Sequence, residues 1–307
     1  MPGPDLIALA AVLLFASPSP VPVAGRVIRV RGTDTVAVAN GRVILHRVTV
    51  DNPGPIDSML TDAQGRFTFH VTPDSGAVYL TSARWDGIEY FGPAMTLDAD
   101  ASTPDVIVTV SDTSSSAPIH LRARHLIVSP VDADGSRSVV DLMVLENPGA
   151  LTRILSDSAH PVWRVRLPPY AFEVHAGNSD FALQALQVQG DTVGVYAAIP
   201  PGQRNLELDY QIPPHTTRFV LPIDEGVDLS NIISQDKGMR VGSGFVRNDT
   251  VIDNKPYARW QGALHAGDPL VLEFGSTAPP AWLVPVLVAL MLSVLGFGTW
   301  RAWHLQP

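Results

Sequence analysis

Thr61-Asp-Ala-Gln-Gly65, followed by Arg66-Phe-Thr-Phe-His-Val71, is the stretch that decides the fold. Asp62 to Gly65 has the composition of a tight turn and ends on a glycine, which takes left-handed backbone angles without steric cost. Directly after it, Phe67, Phe69 and Val71 alternate with Arg66, Thr68 and His70. Successive side chains of a strand point to opposite faces, so a period of two gives one apolar and one polar face. The stretch therefore predicts a half-buried strand, with Phe67 and Phe69 in a core and Arg66 and Thr68 outward.

Working outward, the same pattern recurs. Gly25–Val30 reads as a strand, Asn40-Gly41 is a turn signal, and Arg42–Val50 follows as another strand. Ala77–Ala83 and Val106–Val110 add two more. Taken together, Gly25-x-Val27, Asn40-Gly-Arg-Val-Ile-Leu45 and Thr61-Asp-Ala-Gln-Gly-Arg-Phe-Thr-Phe69 resemble the carboxypeptidase-regulatory-like, or transthyretin-like, domain over residues 25–110. That resemblance implies a small β-sandwich; such modules serve as spacers, stabilisers or binding units, so it implies architecture rather than chemistry.

The polar stretch Ser111–Pro118 (SDTSSSAP) is expected to be a joint over residues 111–118. Beyond it, residues 119–275 predict a second β domain with strands near Ile119–Val128, Ser138–Leu145, Val162–Leu167, Ala182–Gln189, Thr192–Ile199, Asn205–Ile212, Arg218–Leu221, Gly244–Arg247, Tyr257–His265 and Leu270–Phe274. Asp132-Ala-Asp-Gly135, Gln189-Gly-Asp191 and Pro200-Pro-Gly202 mark turns. The fold class expected is mainly β: two tandem β-sandwich domains followed by one C-terminal transmembrane helix.

The ends carry the membrane signals. Trp282–Trp300 (WLVPVLVALMLSVLGFGTW) contains no charge and, as a helix, would span roughly 28 Å, close to the hydrocarbon thickness of a bilayer. Trp282, Trp300 and Trp303 stand where interfacial aromatics belong. A helix over 281–303 with Arg301 on its far side predicts a short cytoplasmic tail at 304–307 and both β domains in the periplasm. Within the span, Ser293 and Gly296 are one helical turn apart and form a candidate docking face for a partner helix. At the other end, Leu6–Ala16 has the length of a signal-peptide core. Residues 1–24 are therefore expected to be a signal-like segment or a retained anchor, with cleavage left open because Pro18, Pro20 and Pro22 crowd the candidate sites.

Composition narrows the function. The chain of 307 residues carries a formal net charge of −9, so it lacks the basic surface with which a nucleic-acid binder displaces counterions. It has no cysteine, which removes disulfides, thiolate metal sites and thiol nucleophiles together. His120 and His125 bracket the basic run HLRARH; on a strand, residues five apart face opposite ways and cannot chelate one metal. His120, Arg122 and Arg124 then share a face, either presented to an acidic partner or simply solvated. Asp132-x-Asp134-Gly135 begins like a calcium loop but lacks the later ligands, which favours a hairpin turn. No metalloprotease, nucleophile-elbow, phosphate-loop or dinucleotide motif occurs, although a triad assembled from distant residues is defined by geometry rather than spacing.

These observations predict a non-enzymatic protein without a cofactor, anchored by one pass in the bacterial cytoplasmic membrane. It would bridge components of a larger complex, with respiratory, cytochrome-maturation and photosynthetic reaction-centre/light-harvesting assemblies as candidate classes. Its partners would be the lipid bilayer and other membrane subunits, not nucleic acid. A periplasmic ligand- or peptide-binding module is the alternative, and a hydrolase the third possibility.

Overall fold

The computed structural model describes residues 19–32, 34–74, 76–98 and 105–275. The segments holding Trp282, Ser293, Gly296, Trp300 and Trp303, and the signal-like run Leu6–Ala16, lie outside the described residues. Among the described residues no helix is long and apolar enough to cross a membrane. The chain is mainly β and divides into two compact units. Of the described residues, the first comprises those up to Ala117 with Gly149–Ile154 and Ala198–Pro201; the second comprises Pro118–Pro148, Leu155–Ala197 and 202–275.

The first unit contains β1 (Val21–Arg31), β2 (Asp34–Ala37), β3 (Arg42–Val48), β4 (Gly54–Leu60), β5 (Arg66–Val71), β6 (Val78–Trp85), β7 (Ile88–Phe91), β8 (Val106–Val110) and β9 (Thr113–Ser114). The second begins with β10 (His120–Val128) and β11 (Arg137–Asn147), after which β12 (Thr152–Arg153) returns to the first. The second then continues through β13 (Trp163–Arg166), β14 (Phe172–Ala176), β15 (Leu186–Gln189), β16 (Thr192–Val195), β17 (Gly202–Ile212), β18 (Arg218–Leu221), β19 (Val227–Ser234), β20 (Arg240–Val241), β21 (Phe245–Arg247), β22 (Thr250–Ile252), β23 (Lys255–Leu264) and β24 (Leu270–Glu273).

In the first unit, β1 pairs antiparallel with β5 and β2, and parallel with β8; a second sheet runs β4-β3-β6-β7. Both sheets feed one core, in which Val23, Phe67, Phe69 and Val108 meet Val43, Leu45, Tyr79 and Tyr90. Phe67 and Phe69 are buried while Arg66 and Thr68 are exposed, as the alternation predicts. Gly65 sits at φ +74, and a Cβ there would lie 2.6 Å from the Val27 carbonyl oxygen, so the turn accepts only glycine without strain. The polar stretch after β8 is bonded into this unit: β9 pairs with β12, Tyr90 donates to the Ser111 carbonyl at 2.8 Å, and Asp112 accepts from Arg29 and from the Trp85 indole.

The second unit is built on an eight-stranded sheet, β14-β17-β11-β10-β19-β23-β21, with β22 on the far part of β23. Its pairings are antiparallel except that between β10 and β19. Asp132 to Ser136 is a hairpin turn joining β10 to β11, closed by the Asp132 N–H on the Ser136 carbonyl at 2.8 Å. Two three-stranded sheets, β13-β16-β15 and β18-β24-β20, complete the unit.

Candidate functional site

The basic run on β10 is rearranged by its own backbone. A β-bulge lies between Leu121 and Ala123, and beyond it the alternation changes phase. His120 and Arg122 remain exposed, whereas Arg124 turns into the core. The three residues therefore do not share one face, and the bulge is the reason. Each already faces a carboxylate of its own chain. His120 Nδ1 is 3.6 Å from Glu225, Arg122 Nε is 3.1 Å from Glu146, and Arg124 Nη2 is 2.6 Å from Asp141. An alternation argument had no means of locating the bulge, and none of these acids is near the run in sequence.

Arg124 and Asp141 form a bidentate pair whose side chains are 2% and 0% exposed. Burial penalises the guanidinium, but the charge and hydrogen bonds of Asp141 hold its pKa above the usual arginine value. Tyr210 on β17 is buried nearby, and desolvation pushes its phenol well above the ordinary range. This cluster is sealed from solvent and organises the core. On the other side of β10, the His125 ring accepts the Asn231 N–H at Nδ1, 3.1 Å away. Burial, aided by the charge of Arg259, lowers the pKa of His125.

A groove of about 760 Å³ runs along β13, lined by His160, Trp163, Arg164, Arg166, Asp224 and Glu225 among others. Asp224 accepts two bonds from Arg166 Nε, at 2.8 and 3.0 Å, and the guanidinium holds its carboxyl below the usual carboxylate range. Glu225 accepts the Leu121 N–H at 2.9 Å and the Trp163 indole N–H at 3.5 Å. The acids in the groove are thus committed to holding the loop against β13.

In the first unit, Ser82, His46 and Glu89 meet on the outer face of β3, β6 and β7. Ser82 donates to Glu89, so His46 Nε2 donates to Ser82 Oγ across 2.8 Å. A nucleophilic serine must instead give its proton to the histidine, and Ser82 is wholly buried. The arrangement is a structural brace. Among the described residues, no group of three or more His, Asp or Glu side chains is placed to hold a metal ion.

Around that brace the outer side of the sheet carries exposed apolar residues among polar ones, with Arg42, Ser58, Arg84 and Glu89 on the same side. The register puts Ile44, His46 and Val48 beside Ser82, Leu80 and Val78, with Phe91 next to Ser82 and Leu60 next to Arg42. Val48, Val78, Phe91 and Leu60 are 40%, 37%, 59% and 57% exposed. His46 and Phe91 stack at a tilt, with ring centroids 5.9 Å apart. The strand readings of the sequence reached β3 and part of β6 but not β4 or β7, so this face was not visible there.

Compared with known proteins, the chain matches no family model, and no curated protein matches it.

Proposed function

We propose that this chain is a non-enzymatic subunit, anchored by one C-terminal helix in the bacterial cytoplasmic membrane, that holds components of a larger complex together from the periplasmic side. The observation that carries this reading is the outer face of the β4-β3-β6-β7 sheet. An antiparallel sheet of a free-standing sandwich is ordinarily apolar inward and polar outward. Here Val48 and Val78 lie side by side and Phe91 and Leu60 are exposed on the same side of the sheet, and exposed apolar side chains gathered on one face are what a protein partner covers. The internal pairing of the HLRARH run and the inert order of Ser82, His46 and Glu89 support the same reading over a hydrolase. The Gly65 turn and the Phe67/Phe69 pair likewise support a carboxypeptidase-regulatory-like module as the first unit. Native mass spectrometry after mild solubilisation of the source membrane tests the proposal. A stoichiometric complex containing this chain supports it, and an isolated monomer carrying a small ligand would replace it with the binding-module alternative.

A further inference from the structure

The groove along β13 lies beside an open sheet edge. In its three-stranded sheet β13 is an outer strand, and among the described residues it pairs only with β16. The register sets Arg164 opposite Gly194 and Arg166 opposite Thr192, and the Leu167 N–H donates to the Asp191 carbonyl at 2.7 Å. Hydrogen-bonded and non-hydrogen-bonded pairs alternate along an antiparallel ladder. Leu167 with Asp191 is of the first kind, so Val165 with Val193 is too, while Arg164 and Arg166 belong to the second. Their backbone N–H and C=O groups therefore point away from β16, toward the free edge of the sheet. Among the described residues no backbone or side-chain group bonds to them.

Proteins usually blunt such edges. The outer strand β14 of the large sheet is interrupted by a bulge between Phe172 and His175, with Glu173 at φ +50. The β13 ladder has no register shift. The loop carrying Asp224 and Glu225 is held beside this strand by Arg166 and by the Trp163 indole, and with β13 it lines the groove. The groove volume falls within the range of roughly 300–1,000 Å³ usual for ligand sites.

The side chains say what would fit. Trp163 is half-buried, whereas Arg164 and Arg166 are exposed on the other face of the strand. Asp224 is bonded to Arg166; Arg164 makes no ion-pair contact within 4 Å among the described residues, although its charge also acts on Asp224. A strand added to this edge would place its alternate side chains opposite Arg164 on one face and toward Trp163 on the other. We infer that the open edge of β13 is a strand-addition site for an extended segment of a partner protein in which acidic and apolar residues alternate. The affinity would come from main-chain bonds to Arg164 and Arg166, and the selectivity from the Arg164 guanidinium. This surface is in the second unit, and the inference stands on backbone geometry without drawing on the apolar face of the first.

The test uses the full chain in detergent micelles and fluorescence anisotropy with a labelled alternating valine–aspartate hexapeptide. Saturable binding is expected, and Arg164→Glu should weaken it by about tenfold or more, the loss of a charge-assisted contact together with a new repulsion. The same variant should bind a valine–lysine hexapeptide better than the unaltered chain does, which excludes simple misfolding. A valine–aspartate peptide N-methylated at every amide keeps its side chains but has no N–H to give, and should not bind. Equal binding of the methylated peptide would overturn the inference. So would no binding of the unmethylated one, or a saturation that tracks self-association of the chain.

Discussion

Arg124 on β10 and Asp141 on β11 are diagonal neighbours in the antiparallel ladder, Arg124 lying opposite Met143 and Asp141 opposite Leu126, and they form a two-point ion pair wholly inside the second unit. Taking two charges out of water is costly, and their mutual attraction compensates only while both are present. Asp141→Asn or Arg124→Ala alone should therefore destabilise the chain by about 3–5 kcal/mol. The double replacement Arg124→Met with Asp141→Leu should cost clearly less than the sum of the single changes. Denaturant midpoints with unchanged slopes provide the measurement. Additive losses would mean that the pair is not coupled.

Phe69 fills the centre of the first unit's core, next to Phe67 with ring centroids 5.8 Å apart. Emptying an aromatic core site costs about 3–5 kcal/mol. Phe69→Ala should show a loss in that range by chemical denaturation, while Thr68→Ala on the exposed face should change little. A small effect at Phe69 would place the ring outside the load of the core.

His125 gives a pH prediction. Its folded pKa is lowered, first by burial and then by the positive charge of Arg259. The unfolded chain therefore takes up this proton at higher pH than the folded chain does, near the ordinary value of about 6.5. The contribution to stability is full above that value and falls as the pH drops toward the folded pKa. NMR titration of the ring should give a midpoint below the ordinary histidine value, and Arg259→Gln should move it upward. An unmoved midpoint would contradict the assigned neighbour.

What the sequence made legible follows from where each strand keeps its apolar residues. Arg66–Val71 and Val106–Val110 alternate cleanly because their buried positions are phenylalanine or valine. The central strand β19 was missed because two of its buried positions are serines. Ser230 and Ser234 donate to the Arg124 and Val128 carbonyls at 2.6 and 2.7 Å, so polar side chains are satisfied inside the sheet. Strand β4 was missed because Gly54 and Pro55 open it and it lies at an edge, where proline is tolerated. Of the candidate site, the groove depends on Asp224 and Glu225 meeting Arg166 and Trp163 from far along the chain, a pairing that no local pattern encodes.

The membrane reading has its own check. With the span Trp282–Trp300 followed by Arg301, alkaline phosphatase fused after Pro307 should be inactive and green fluorescent protein at the same place should be bright. An active phosphatase would reverse the orientation and put the β units on the wrong side for the proposed role.

The apolar outer face of the first unit is the centre of the account, and one comparison addresses it most directly. The unaltered chain and a Val48→Glu, Phe91→Glu variant, both expressed in the source organism, would be purified in mild detergent and weighed by native mass spectrometry. Both positions are exposed, so the variant should keep its fold, shown by an unchanged denaturation midpoint. The account predicts a stoichiometric complex for the unaltered chain and its loss from the variant. Recovery of the same complex with the variant, at the same stoichiometry, would contradict the assignment of that face to assembly.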